Sequence, residues 1–343
     1  MQRKLDKPFK SIEDQVQILN ERGLLFLDQE ADKKKLQDYG YYEIINGYKT
    51  HFLNNAENDE EGYQNHINFQ HIFDLYNLDK KIRLDMRYSL DDFEQSFKQN
   101  LAYVISRDIS EDQNEYTKKL HYNTGNSRRG KFQNDRDYLI KKCFNRTLKS
   151  NFNPYKYYRD EHNNIPPWIM VKNLTFGQTI YWFKLSKPNI RRNVISRMLR
   201  LNTNPAILNQ INKQLKITEL FGDLLNLYLD YRNLSSHGGR IYNHRSVNHR
   251  IRHYSPLIYN NPDILKESKA DFRRGKLRSS VGTVFQTLRL FMNSDPYVNL
   301  YARLEVDISD YLKKYPNEFE FLMDEMELHN TLIEYELKKS FSV

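Results

Sequence analysis

Apolar residues recur at three- and four-residue spacing along most of the chain, and strand-like alternation is rare, so the pattern predicts helices. Ser11 precedes a first helix whose opening turn holds Glu13 and Asp14 and whose apolar face holds Val16, Ile18 and Leu19; Gly23 ends it. A short helix follows over Glu30 to Asp38, stopped by Gly40. From Phe69 a long pattern through Ile72, Leu75, Ile82, Met86, Leu90, Phe93 and Phe97 predicts a central core helix or a kinked pair. Pro166-Pro167 marks the next boundary. A further helix runs from about Ile217 into the region of Arg232, with Leu220, Leu224, Leu225, Tyr228 and Tyr231 as its buried stripe, and Gly238-Gly239 should end or bend it. Beyond Pro262 the pattern predicts two or three more helices, the last over Glu318 to Lys339. The expected fold class is therefore all-α.

The segments between these helices are polar. Asn54 to Gln64 reads as an acidic loop, and His121 to Asp137, with Arg128, Arg129 and Lys131, as a mobile connection. Tyr39, Tyr41, Tyr42 and Tyr48 cluster around Gly40 and Gly47. They are either packed turn aromatics or a platform on which bases stack.

At 343 residues and 39% hydrophobic content the chain can fill one large core or two ordinary ones. No apolar run approaches the ~20 residues of a membrane-spanning helix. Met1 to Lys10 is charged and lacks an apolar signal core. Cys143 is alone, which excludes an internal disulfide framework and a cysteine-based zinc site; a reducing cytoplasm is the expected location.

Charge adds more. The formal net charge is +9, but His162 to Pro262 holds fourteen Lys/Arg against three acids (Glu219, Asp223, Asp230), so this segment carries about +11 and the remainder about −2. Concentrated positive charge attracts polyanions such as nucleic acid, although a solvated basic face without a partner has the same composition. Arg191, Arg192, Arg197 and Arg200 fall within two helical turns there, and part of this set can line one face.

Tyr231 to Tyr254 holds five arginines, four histidines and no acid. Cleavage of an RNA strand without a metal needs a base for the 2′-hydroxyl proton, an acid for the leaving 5′-oxygen and cationic donors for the phosphate. Histidine titrates near neutrality and arginine offers paired, permanently charged donors, so this composition suits that chemistry. Arg232 and His237 lie five residues apart, ~140° around an ideal helix. Either the helix ends near Ser236 and lets His237 swing inward, or a second copy of the chain completes the site. The plainer alternative is a helix C-terminus whose Arg and His complement the dipole. Asp91, Asp92 and Glu94 on the long early helix can pair with Arg232, though an exposed charged face is the simpler account of them. His244, His249 and His253 lack the spacing and neighbouring acids of a metal site, so no metal and no cofactor is expected.

The run Arg232-Asn233, His237, Gly239-Arg240-Ile241-Tyr242-Asn243 resembles the signature of the Abi family, the AbiD/AbiF-like phage abortive-infection proteins of the HEPN superfamily. Other blocks resemble that family in order: Gln15, Leu19 and Arg22-Gly23; Tyr41-Tyr42 and Gly47-Tyr48; Phe69, Ile72, Leu75-Tyr76, Asp79 and Arg83; Trp168, Leu174 and Thr175-Phe176-Gly177. The resemblance runs from about Lys7 to Asn243. Ser236 departs from it, since a small apolar residue usually precedes the histidine.

The resemblance implies a HEPN-like helical bundle with N- and C-terminal helical extensions, divided as 1–60, 61–260 and 261–343. It also implies a homodimer and a metal-independent endoribonuclease in phage defence. Arg232 would bind the scissile phosphate, His237 would be general acid or base, and Asn233 would orient the phosphate or cap the bent helix. RNA contacts are expected from Arg240, Tyr242, His244, Arg245, Arg250, Arg252, Arg191 and Arg192, with packing of the turn the alternative for Arg240 and Tyr242. A catalytically silent protein that holds a small structured non-coding RNA is the competing function. A protein-interaction module is a third, with the acidic stretch Glu318 to Glu327 as its contact.

Overall fold

A computed structural model describes residues 9–199, 201 and 204–341. It is all-α: among the described residues there is no β-strand, only isolated bridges such as Leu25 with Asn68. Arg200, named above, and Lys7, where the family resemblance begins, lie outside the described residues. Among the described residues no helix is long and apolar enough to cross a membrane.

The chain forms two compact units. One comprises residues 1–83 and 306–318. Its first helix, Ile12–Glu21, begins where the sequence places it. Ser11 Oγ accepts from the Asp14 amide at 3.1 Å, and Asp14 accepts from the Ser11 amide in return, a capping box. The second helix, Gln29–Tyr39, is capped by Asp28 and closed by Gly40 at φ +86°. Tyr48 is buried and donates to Asp79 at 2.6 Å, and Arg83 also meets Asp79, at 2.5 Å. Tyr48 therefore follows the packing alternative, whereas Tyr42 stays 73% exposed. In the same unit the buried Glu318 receives His71 at 2.7 Å and the Tyr311 hydroxyl. Burial pushes this carboxyl up, but the hydrogen bonds from His51, His71 and Tyr311 outweigh it and hold its pKa down at about 2.

The other unit comprises residues 84–305 and 319–343. The helix Phe69–Asp108 contributes its first part to one unit and the rest to the other. Its 40 residues contain no Gly or Pro, so one unbroken helix of about 60 Å replaces the kinked-pair alternative. Phe93 and Phe97 face an aromatic core. Phe93 meets the rings of Tyr228 and Phe291 at 4.8 Å each, and Phe97 meets Phe183 at 5.7 Å. Tyr228 comes from the helix Ile217–Ser236, whose stripe Leu220, Leu224, Leu225, Tyr228 and Tyr231 is buried throughout. Burial of such an amphipathic stripe, more than local propensity, holds a helix in place.

In the polar stretch from His121 to Asp137, Asp135 accepts from the Asn126 amide at 2.9 Å and from Arg128 at 2.6 Å. Beyond Pro262, where two or three helices are expected, the described residues form the α-helices Lys269–Arg273, Val281–Thr287, Asp295–Lys314, Phe319–Met326 and Leu332–Phe341, so the last expected helix is two. The chain breaks because Glu327 and Asn330 adopt φ of +51° and +63°, and Thr331 then caps the next helix by accepting from the Glu334 amide.

Candidate active site

The helix Ile217–Ser236 stops inside the Arg232/His237 motif. His237 is its C-cap, Gly238 turns at φ +75°, and the Gly239 amide donates back to the Leu234 carbonyl at 3.1 Å. This is a Schellman closure, and a left-handed turn of that kind favours glycine at position 238. Arg232 thus sits immediately before the last turn and His237 just beyond it. The helix ends near Ser236, as the first option has it, but His237 stays exposed and does not swing inward. Ser236 donates to the Arg232 carbonyl at 2.9 Å, so its hydroxyl is satisfied within the helix and the departure from the family pattern disturbs nothing.

His237 is exposed, and its side chain has no hydrogen bond or ion pair among the described residues. Asn233 is exposed as well. Arg232 is held: its Nε lies 3.3 Å from Asp91 Oδ1 and 3.6 Å from Glu94 Oε2. Glu94 is buried and also pairs with the buried Lys98 at 2.6 Å, while Asp91 reaches Arg87 at 3.8 Å. Charges therefore alternate in sign through Arg87, Asp91, Arg232, Glu94 and Lys98. Of the acids named on the early helix, Asp91 and Glu94 fix the Arg232 guanidinium, and the exposed-face account does not hold for Glu94. Asp92 accepts instead from Asn299 at 3.3 Å.

The remaining predicted residues do not form one basic face. Tyr242 is 3% exposed and packs its ring 6.1 Å from Phe321, as the packing alternative has it. Tyr231 donates to the carbonyls of His244 and Ser279 at 2.9 and 2.8 Å, which pins the segment after the glycines to the helix. Arg245 donates to the Glu325 carbonyl at 2.8 Å, near the C-terminal end of the helix Phe319–Met326, where cations are favoured. His244 and His249 both meet Asp230 at 3.3 Å. Burial pushes the Asp230 carboxyl up, but hydrogen bonds from Ser246, His244 and His249 prevail and leave it below the ordinary value. Arg252 clasps Asp223 through Nε and Nη2, at 3.0 and 2.9 Å, and His253 meets the same carboxylate at 3.4 Å. Asp223 thus compensates Arg252 locally, and Asp230 holds two of the segment's histidines. Arg240 and Arg250 are exposed.

Arg191, Arg192 and Arg252 do converge, on a cleft of about 620 Å³ that Lys184 and the buried Asp223 also line. Desolvation, with Arg192 adding repulsion, lowers the Arg191 pKa. Arg232 lines a different groove, of about 920 Å³, whose other cations are Lys98, Arg146, Lys149 and Lys172. The sequence reading missed this groove. Arg146 and Lys149 lie outside the basic segment, and folding alone brings them to Arg232.

A sequence model of the family described as Abi-like protein matches residues 34–243, more than half of the chain and inclusive of Arg232, Asn233 and His237. No curated protein and no solved structure matches the chain.

Proposed function

Because the chain belongs to the Abi-like family, we propose that it is a phage-defence protein of the abortive-infection kind and a metal-independent endoribonuclease of HEPN type. The observation that carries this reading is the helix end at the motif. It leaves His237 exposed and unpartnered just after the last turn, with Arg232 held by Asp91 and Glu94 just before that turn.

Arg232 receives the scissile phosphate and stabilises the charge that builds on its oxygens. The 2′-oxygen bonds to phosphorus as the P–O5′ bond breaks. A histidine takes the 2′-hydroxyl proton, and a second proton goes to the leaving 5′-oxygen. One chain supplies one His237, so both transfers are filled when a two-fold dimer brings two copies to one cleft. Asn233, exposed on the same turn, orients the phosphate. No step needs a cation other than arginine.

One observation favours the second reading, a silent protein that holds a structured RNA. Arg232 already has two carboxylates at its Nε, and their negative charge opposes the approach of a phosphate. The test incubates purified protein with labelled single-stranded RNA in EDTA, with Arg232→Ala and His237→Ala in parallel. Cleavage by the wild type alone supports the nuclease. RNA that co-purifies with all three proteins and no cleavage by any supports the silent binder.

A further inference from the structure

We propose that the groove of about 920 Å³ beside Arg232 is the track along which single-stranded RNA runs to the motif, with Lys149 and Lys172 on its phosphates and Phe152 stacked on a base. The inference rests on the reading of the protein as an RNA-processing one and adds to it where the strand lies.

The groove's charge is one-sided. Its cations are Lys98, Arg146, Lys149, Lys172 and Arg232, and its single acid is Glu94. Glu94 is consumed by Lys98 and Arg232, so Arg146, Lys149 and Lys172 keep their charge uncompensated within the groove. Lys149 and Lys172 are exposed and have no ion-pair partner among the described residues. Arg252 and Arg245, the cations that the sequence offers more readily, are instead spent on Asp223 and on helix carbonyls.

Arg146 is oriented without being neutralised. Its Nη2 donates to the Asn173 carbonyl at 2.6 Å and to Gln178 Oε1 at 3.2 Å, both neutral acceptors, so its charge remains available to an anion. A guanidinium fixed in this way loses little freedom when phosphate arrives.

Phe152 decides between single strand and duplex. Its ring is 79% exposed on the groove wall, so its face is open to a ligand. A base stacked on it would bury that face, and only an unpaired base presents its own. The cations come from three stretches far apart in sequence, Lys98, Arg146 with Lys149, and Lys172, and they meet where Arg232 stands.

The test uses the full chain carrying His237→Ala, so that RNA is bound and not cut, and fluorescence anisotropy of a labelled single-stranded oligoribonucleotide across a salt series. Lys149→Glu/Lys172→Glu should weaken binding by about ten-fold or more and reduce the salt slope by about 1.4, ~0.7 for each phosphate contact on a single strand. Phe152→Ala should weaken it by about five-fold or more, the low end of one stacked base. Lys266→Glu, an exposed lysine outside the groove, is the control. A duplex of the same sequence should compete poorly, and poly-L-glutamate should not compete at matched charge.

If the control and the groove variants bind RNA alike while the His237 protein cuts it, the track is wrong and the nuclease stands. If the wild type neither binds nor cuts RNA, the underlying reading fails. Equal competition by duplex overturns the single-strand assignment, and equal competition by poly-L-glutamate overturns RNA in favour of an acidic protein segment.

Discussion

Glu94→Gln tests the charge arrangement that holds Arg232. The substitution preserves shape and removes one charge. Glu94 is 5% exposed and Lys98 6%, with 2.6 Å between their charged atoms. After the change Lys98 is a buried ammonium facing a neutral amide. Removing one partner of a buried pair costs about 3–5 kcal/mol. Here the glutamine carbonyl still accepts a hydrogen bond and Lys98 borders an open groove, so the expected loss is about 2–3 kcal/mol. Replacing both partners with neutral groups of similar volume is often close to neutral. Glu94→Gln/Lys98→Met should therefore lie within about 1 kcal/mol of wild type. Urea unfolding followed by circular dichroism gives both values, and a constant m-value shows that stability alone has changed. The reasoning is refuted if the single variant loses less than about 1 kcal/mol, or if the double is as unstable as the single.

Other predictions follow from the same structure. His237→Ala removes an exposed, unpartnered ring, so stability should stay within about 0.5 kcal/mol while cleavage falls by ~10²–10⁴; an unfolded variant in circular dichroism would make the residue structural. Glu318 has its pKa lowered in the folded state from 4.5 to about 2. The native state thus binds fewer protons than the unfolded one through this window. Its contribution, up to about 3 kcal/mol, is full above pH 4.5 and is lost as pH falls to about 2. Glu318→Gln should flatten the acid limb of the urea midpoint against pH, and an unchanged slope would contradict the assignment. Gly282 lies where a Cβ would sit 1.9 Å from the Glu327 carbonyl oxygen. Backbone cannot yield as a side-chain tip does, so Gly282→Ala should cost about 2–3 kcal/mol, and an unaltered melting curve would show the approach to be looser.

Local signals carried much of the fold. The Ser11/Asp14 capping box, the Gly40 stop and the stripe from Leu220 to Tyr231 all depend on residues within a few positions, and the structure has each. The break between Met326 and Leu332 was not legible, because Glu327 takes a positive φ that its residue type does not announce. The site divides along the same line. Gly238-Gly239 announced the helix end, and the fold supplies it as a Schellman closure. Arg232's carboxylates lie some 140 residues earlier in the chain, and their pairing is a tertiary event. Net charge counted Arg245 and Arg252 as free, but it has no access to the pairing with Asp223 or the helix carbonyls that the fold brings to them. For the same reason it passed over Arg146 and Lys149, which stand in an otherwise unremarkable stretch.

The central claim is strand cleavage by the 2′-hydroxyl at the Arg232/His237 motif. The most direct measurement is end-group analysis of one defined oligoribonucleotide cut in EDTA, beside the same oligonucleotide with a single 2′-deoxy substitution at the cut site. The account predicts a 2′,3′-cyclic phosphate and a 5′-hydroxyl from the first, no cut at that position in the second, and neither product with Arg232→Ala or His237→Ala. Cleavage that survives the 2′-deoxy substitution, or persists in both variants, would contradict it.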